Sequence, residues 1–241
     1  TTSWYNYFMN NIQTLKGFRD FLPNEVRKRQ FVIDALKKVF ESYGFEPLET
    51  PALEYEKILT GKYGAEGDKL MYKFTDNGDR KVAMRYDQTV PLARVVAQYQ
   101  NDLPMPFKRY QIQNVFRAEN TQKGRYREFL QVDADIVGTY SPLADAEVIL
   151  IAGKSLQDLG FKKFKILIND RRIFMNLVRK NLVSPNSLAL VLRAIDKLGK
   201  LGEEGVLEEL GKIGINKNQR KLILDSIINE LPSEEFTKIF E

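Results

Sequence analysis

FRAENTQKGRYREFLQVDADIVG, residues 116–138, carries one polar loop and the whole of a strand-like run. From Arg127 onward the even positions, Leu130, Val132, Ala134 and Ile136, are all apolar. The odd positions are Phe129, Gln131, Asp133 and Asp135. Strand side chains alternate between faces with a period of two, so this spacing predicts a strand with one apolar and one mostly polar face. The run ahead of the loop, 107–119, repeats the pattern: Gln111, Gln113, Arg117 and Glu119 share one parity, while Tyr110, Ile112, Phe116 and Ala118 share the other. At 81–87, Val82, Met84 and Tyr86 oppose Lys81, Ala83, Arg85 and Asp87. If these three strands are neighbours, one sheet face packs on a core and the other gathers Arg, Glu, Gln and several Asp. A solvent-facing surface has the same pattern, as is common in antiparallel sheets.

The loop between the two long runs, NTQKGRY, combines Gly124 with Lys123 and Arg125, and Arg127 follows it. Cations on a flexible turn suit phosphates arriving over a polar face; a solvated basic turn is the alternative. Residues 107–129 hold a net charge of +4, most of the +5 carried by all 241 residues. That stretch alone is too short for the extended basic patch of a nucleic-acid-binding module.

Outward from this centre the chain reads as α+β. Asn24 is placed to cap a helix with Val32, Leu36, Val39, Phe40 and Tyr43 on its apolar side, ended by Gly44. Phe45–Leu53 is extended and punctuated by Pro47 and Pro51. Residues 69–76 and 80–87 flank Asp76-Asn77-Gly78-Asp79, a hairpin signal. A helix is expected over Val90–Gln100, with Leu92, Val95, Val96 and Tyr99 buried, and another after Ser141-Pro142. FKILIND, 164–170, reads as a closing strand. Beyond Arg171 the texture is all-helical, as in SLALVLRAIDKLGKLG and QRKLILDSIINELPS. The expected division is an N-terminal extension at 1–15, a sheet-and-helix core at 16–175 and a small helical module at 176–241.

Absent residue types narrow the chemistry. The chain has no Cys and no His. That excludes a disulfide framework, a thiolate nucleophile, a Ser-His relay and an imidazole base. Chemistry must rest on carboxylates, Arg, Lys, Tyr, backbone groups or a hard metal such as Mg²⁺. No apolar run approaches the ~18–20 residues that cross a bilayer, and TTSWYNYFMNN lacks the layout of a signal peptide. The chain therefore reads as cytoplasmic, without a membrane partner.

The 116–138 segment resembles motif 2 of the class II aminoacyl-tRNA synthetases, in the form seen in histidyl-tRNA synthetases. RYDQTVPLARVVA (85–97) is similar to that family's amino-acid-binding segment, YGFEPLETPALE (43–54) to motif 1 with Pro51 as its terminal proline, and KGFRDFLP (16–23) to its opening segment. VLRAIDKLGKLGEEGVLEELGKIGI (191–215) resembles the insertion region that follows the sheet.

The resemblance implies a class II antiparallel sheet flanked by helices and followed by the helical insertion module. It implies L-histidine, ATP with Mg²⁺, and tRNA(His) as substrates and partners, and a homodimer built on motif 1. Arg117 would hold the ATP α-phosphate and the histidine carboxylate as they react. Glu119 would accept from the adenine amino group, Phe129 would stack on adenine and Arg125 would reach the terminal phosphates. Asp87, Gln88 and Thr89 would frame the α-amino end with Gln131, and Asp135 would accept from the imidazole ring. No protein metal ligand is implied. Insertion-module lysines would be candidate tRNA contacts.

Histidyl-tRNA synthetases continue with a histidine-specific segment, motif 3 and an anticodon-binding domain, none of which is recognised in residues 1–241. The expectation is a catalytic-domain fragment that binds histidine and ATP weakly and does not form adenylate alone. A shortened, non-catalytic paralog, such as the regulatory subunit of ATP phosphoribosyltransferase, is the alternative. That regulator would need the histidine residues and not the nucleotide ones, so the joint presence of Arg117, Glu119, Arg125 and Phe129 argues for the synthetase.

Overall fold

A computed structural model describes residues 12–62, 64–168 and 182–230. The chain divides into two compact units, Thr1–Phe164 and Lys165–Glu241. The expectations for residues 1–11, 169–170 and 231–233 lie outside the described residues.

The first helix among the described residues of the first unit is α1, Pro23–Ser42. The helix begins at Pro23 rather than behind an Asn24 cap, because proline's fixed φ suits the first helical position. The Leu22 amide donates to the Glu25 carboxylate at 3.2 Å. Gly44 at φ 76° then lets the chain leave the helix. Two short strands follow, β1 at Glu46–Pro47 and β2 at Leu53–Tyr55, then helices α2 at Glu56–Leu59 and α3 at Gly64–Lys69. Strands β3, Lys73–Thr75, and β4, Lys81–Met84, form the expected hairpin. Asp76 Oδ1 accepts the amides of Gly78 and Arg80 inside its turn. The helix α4, Thr89–Gln98, buries Val90, Leu92 and Val95. It stops one residue before Tyr99, which is exposed instead of buried.

The two long runs become β5, Phe107–Phe116, and β6, Glu128–Val137. They pair antiparallel along their full length, and β1 joins β5 in parallel. The apolar parity is realised. Tyr110, Ile112, Val132, Ala134 and Ile136 pack with Val39 and Phe40 of α1, with Phe45, and with Ile151 of α5, Pro142–Asp158. Ser141 caps α5, its side chain accepting the Leu143 amide as the sequence indicates.

Two strand expectations change. β4 is not a neighbour of β5 in one sheet; it is the centre of a second sheet, β2–β4–β3. Only 81–84 is strand, and residues 85–88 cross to the first sheet, where the Phe116 amide donates to the Arg85 carbonyl at 3.0 Å. Alternation assigns faces and not neighbours, so parity alone did not distinguish these arrangements. Residues 164–168 form no strand. Apolar, extended sequence becomes a strand only where a ladder partner is offered, and both named sheets are built without this segment.

The second unit contains a short 3₁₀ turn at Pro185–Ser187 and helices α6, Leu188–Ile195, α7, Leu198–Lys212, and α8, Lys217–Glu230. Its own core joins Val191, Ala194, Val206, Leu210, Ile215 and Ile223. Gly202, at φ 69°, kinks α7.

Candidate active site

The β5–β6 ladder sets three polar pairs in a row. Arg109 stands opposite Asp135, Gln111 opposite Asp133, and Gln113 opposite Gln131. Residues directly opposite in an antiparallel pair lie within side-chain reach, so the predicted polar face is a connected network. Arg117, just beyond β5, donates from Nε to the Tyr86 carbonyl at 3.1 Å and from Nη2 to Gln131 Oε1 at 3.1 Å. Gln131 Nε2 donates in turn to Asp133 Oδ2 at 2.9 Å. The Arg117 guanidinium lies 4.7 Å from the Tyr86 ring centre and 5.0 Å from that of Phe129, a favourable placement for a cation.

Asp87 and Asp135 close the other end. Asp87 Oδ1 accepts the Thr89 and Val90 amides at the start of α4, and its Oδ2 lies 3.5 Å from Lys62 Nζ. Asp135 Oδ2 is 2.7 Å from Arg109 Nη2, placed as an ion pair and not as an aligned hydrogen bond. The Arg109 side chain is wholly buried while that of Asp135 is 38% exposed, so the carboxylate is the reachable partner. Burial pushes the Asp135 carboxyl above its ordinary range. Arg109 and Lys62 pull it back, and Asp133 and Asp87 add to the rise.

Several sequence-selected residues occupy less direct places. Gln88 is fully buried and donates to the Gln113 and Gln131 carbonyls at 3.0 and 3.1 Å. It stitches residues 85–88 onto the sheet. Thr89 stands exposed at the first position of α4 and contributes its amide to Asp87. Glu119 lies 3.4 Å from the Tyr86 hydroxyl and 3.6 Å from Arg125, which is itself largely exposed on the loop.

The basic loop is braced from the opening segment. The Arg127 amide donates to the Gly17 carbonyl at 2.8 Å, and Arg127 Nε donates to the Glu119 carbonyl at 3.1 Å. Arg19 stacks 3.2 Å from the Tyr126 ring centre. Within the loop, Gly124 at φ 81° makes the turn that pairs Gln122 with Arg125.

Arg109, Lys62, Tyr86 and Asp133 belong to the site although the sequence reading gave them no role. The face of Arg109 was legible, since it has the parity of Gln111, Gln113 and Arg117, but its burial was not. Lys62 lies in a connection without periodicity and offered no signal.

What such a site can do follows from its charges. One end offers a guanidinium between two aromatic rings, beside a carboxylate and a basic loop. The other offers carboxylates in a partly buried recess. An anion and a planar group fit the first end; a cationic or N–H-bearing group fits the second. Among the described residues, no group of three or more Asp and Glu side chains is arranged to hold a metal ion. None of the described helices is long and apolar enough to cross a membrane.

The family described as histidyl-tRNA synthetase matches residues 17–225. This chain belongs to that family. It is 45% identical to the histidine–tRNA ligase of Treponema denticola, over 94% of this chain and 51% of that protein. The Aeropyrum pernix histidine–tRNA ligase is 49% identical, over 88% of this chain and 49% of its own length. The chain thus spans about half the length of the histidyl-tRNA synthetases it matches. Among solved structures, the histidyl-tRNA synthetase from Nostoc sp. PCC 7120 superposes with a TM-score of 0.77 at 37% identity, covering 89% of this chain and 48% of that one. An ATP phosphoribosyltransferase regulatory subunit/histidyl-tRNA synthetase from Bacillus halodurans reaches 0.74 at 25% identity, covering 89% and 55%. The class II α+β core of histidyl-tRNA synthetases is the architecture the sequence led us to expect.

Proposed function

We propose that this chain is the histidine- and ATP-binding part of a cytoplasmic, homodimeric histidine–tRNA ligase, which forms histidyl-adenylate and transfers histidine to tRNA(His). The observation that carries this reading is the continuous network from Arg117 through Gln131 to Asp133, with Asp135 and Asp87 on the same side. One side of the molecule thereby receives two anions and a nitrogen-bearing ring.

In the proposed reaction the substrate carboxylate is already a nucleophile and attacks the α-phosphorus of ATP, so no side-chain base is required. That suits a chain without His or Cys. Arg117 brings the two anions together and stabilises charge on the phosphoryl oxygens. Arg125 takes the terminal phosphates, Glu119 the adenine amino group and Phe129 the adenine face. Asp87 and Gln131 take the α-ammonium with Gln88 and Thr89 behind them, and Asp135 takes a ring N–H. Mg²⁺ would enter on the nucleotide phosphates. The protein contributes alignment and fixed charge, and positioning of this kind is worth up to ~7–11 kcal/mol. Residues 176–241 are assigned as the insertion module, with its lysines toward tRNA.

The regulatory-subunit reading is the less favoured one. Glu119 and Arg125 adjoin one another beside the Arg117–Phe129 pair, a nucleotide site that a pure histidine sensor has no need of.

Calorimetric titration tests the proposal. Saturable binding of L-histidine, weakened by Asp135→Asn, and of ATP, weakened by Arg117→Ala, is the expected result. No histidine-dependent ATP–pyrophosphate exchange is expected from residues 1–241 alone. Failure to bind histidine would refute the assignment.

A further inference from the structure

We propose that Arg109 is a positioning residue for the substrate ring: its buried charge balances the recess so that Asp135 stays ionised and the ring is bound neutral, without uptake of a proton. This inference rests on the histidine-binding reading of the same site.

The argument starts from burial. A guanidinium with no exposed side-chain surface is held at a high desolvation cost unless anions face it. Arg109 is such a group, and burial is the leading influence on it, offset by Asp135, Asp133 and Asp87. Its Nη2 lies 2.7 Å from Asp135 Oδ2 and 3.4 Å from the Gln88 carbonyl. One side chain therefore links β6 to the 85–88 segment. Among the described residues its Nε and Nη1 have no hydrogen-bond partner, nor does Gln88 Oε1. A purely structural arginine normally satisfies these donors.

Among the described residues, five charges surround Asp135 and Arg109, these two included. Asp87, Asp133 and Asp135 bring three negative charges, Arg109 and Lys62 two positive ones. The net of −1 matches the α-ammonium of an amino acid. Arg117, next along the face, matches the α-carboxylate. With those pairs made, the sum closes only for a neutral ring. Free imidazole, with a reference pKa of about 6.5, is mostly neutral in mildly alkaline buffer, so the wild-type site takes the form that solution already supplies.

Removing the Arg109 charge leaves one negative charge uncompensated in a partly buried place. The arriving ring then compensates by binding in its protonated, cationic form against the ionised Asp135. Histidine binding then becomes linked to proton uptake, a signature that mere loosening of the fold does not produce.

The test is titration of L-histidine into the 241-residue chain near pH ~7.5, in buffers of different protonation enthalpy. Wild type and Arg109→Lys are expected to take up close to no proton. Arg109→Gln is expected to bind about ten-fold more weakly or worse, with uptake approaching about one proton. The double variant Arg109→Gln/Asp135→Asn, which deletes both charges, is expected to return uptake to near zero. ATP affinity within about two-fold of wild type checks that each variant is folded. If Arg109→Gln fails that check, the double variant and Arg109→Lys decide: uptake by either overturns the proposal. Unchanged affinity and uptake in Arg109→Gln overturn it as well. Absence of histidine binding by the wild-type chain overturns the site reading itself, whereas binding with unchanged proton linkage overturns the Arg109 assignment alone.

Discussion

Arg117 and Gln131 orient one another: Arg117 Nη2 donates to Gln131 Oε1 while Gln131 Nε2 donates to both Asp133 carboxylate oxygens. The amide has one orientation that serves both neighbours, and it leaves the guanidinium fixed between the Tyr86 and Phe129 rings. Lysine carries the charge but is a point donor on a flexible stem, so it cannot hold Tyr86, Gln131 and a phosphate at once. Arg117→Lys is expected to weaken ATP binding ~10-fold or more, with a thermal midpoint close to wild type. Fluorescence titration with ATP and a melting curve check both halves.

Gly17 controls the brace under the basic loop. Its φ of +90° is a backbone conformation that costs an L residue ~1–2 kcal/mol, and an added Cβ would stand 2.7 Å from both Arg127 Cγ and Thr121 Cγ2. Arg127 would have to shift from the carbonyls of Gly17 and Glu119 that it now engages. Gly17→Ala is expected to lower stability by ~1–2 kcal/mol and to weaken ATP binding while leaving histidine binding unchanged. Denaturant melts and the two titrations give the three readings.

The sheet was legible in the sequence because its two faces face different surroundings. Val132, Ala134 and Ile136 meet α1 and α5, so alternation against Gln131, Asp133 and Asp135 was imposed by burial. The same logic reaches Arg109, four residues before Gln113 with unchanged parity, but one of two adjacent cations, Lys108 and Arg109, between Phe107 and Tyr110 reads as ordinary surface charge until its burial is known. Pairing order was not legible: β4 shares the parity of β5 yet sits in another sheet, and only the crossing at Arg85–Gln88 brings Asp87 to the site. Lys62 reached the site through a connection, where no period exists to read.

Tyr110 ties the sheet to α1 and should be visible in alkali. It is buried, its hydroxyl donates to Glu41 at 2.8 Å, and its pKa is pushed up to about 12, by burial first and then by Glu41. The unfolded phenol titrates near ~10. Because the folded value is the higher one, the protonated form is favoured by folding. Its contribution is complete below pH ~10 and is lost as pH rises from ~10 towards ~12. Tyr110→Phe is expected to cost ~1–2 kcal/mol at neutral pH and to flatten that alkaline decline. Urea melts of both proteins across the alkaline range would show the difference, and parallel declines would refute the assignment.

The helical unit is a separate test of how its own core is held. Leu210 on α7 is fully buried with Val191 and Ala194 of α6, Val206 of α7 and Ile223 of α8. Truncating it removes apolar contact and leaves a cavity that three helices can only partly close. Leu210→Ala is therefore expected to destabilise this unit by ~2–5 kcal/mol. Lys197 and Lys212 both grip Glu209 beside it, on the exposed side of α7, and exposed ion pairs of that kind contribute at most ~1 kcal/mol, too little to offset the loss. Hydrogen exchange should accelerate across α6, α7 and α8, while the β5–β6 amides keep their protection because their core of Val39, Phe40, Phe45, Tyr110 and Ile151 is unaltered. Equal acceleration in both units would show that the two cores unfold as one.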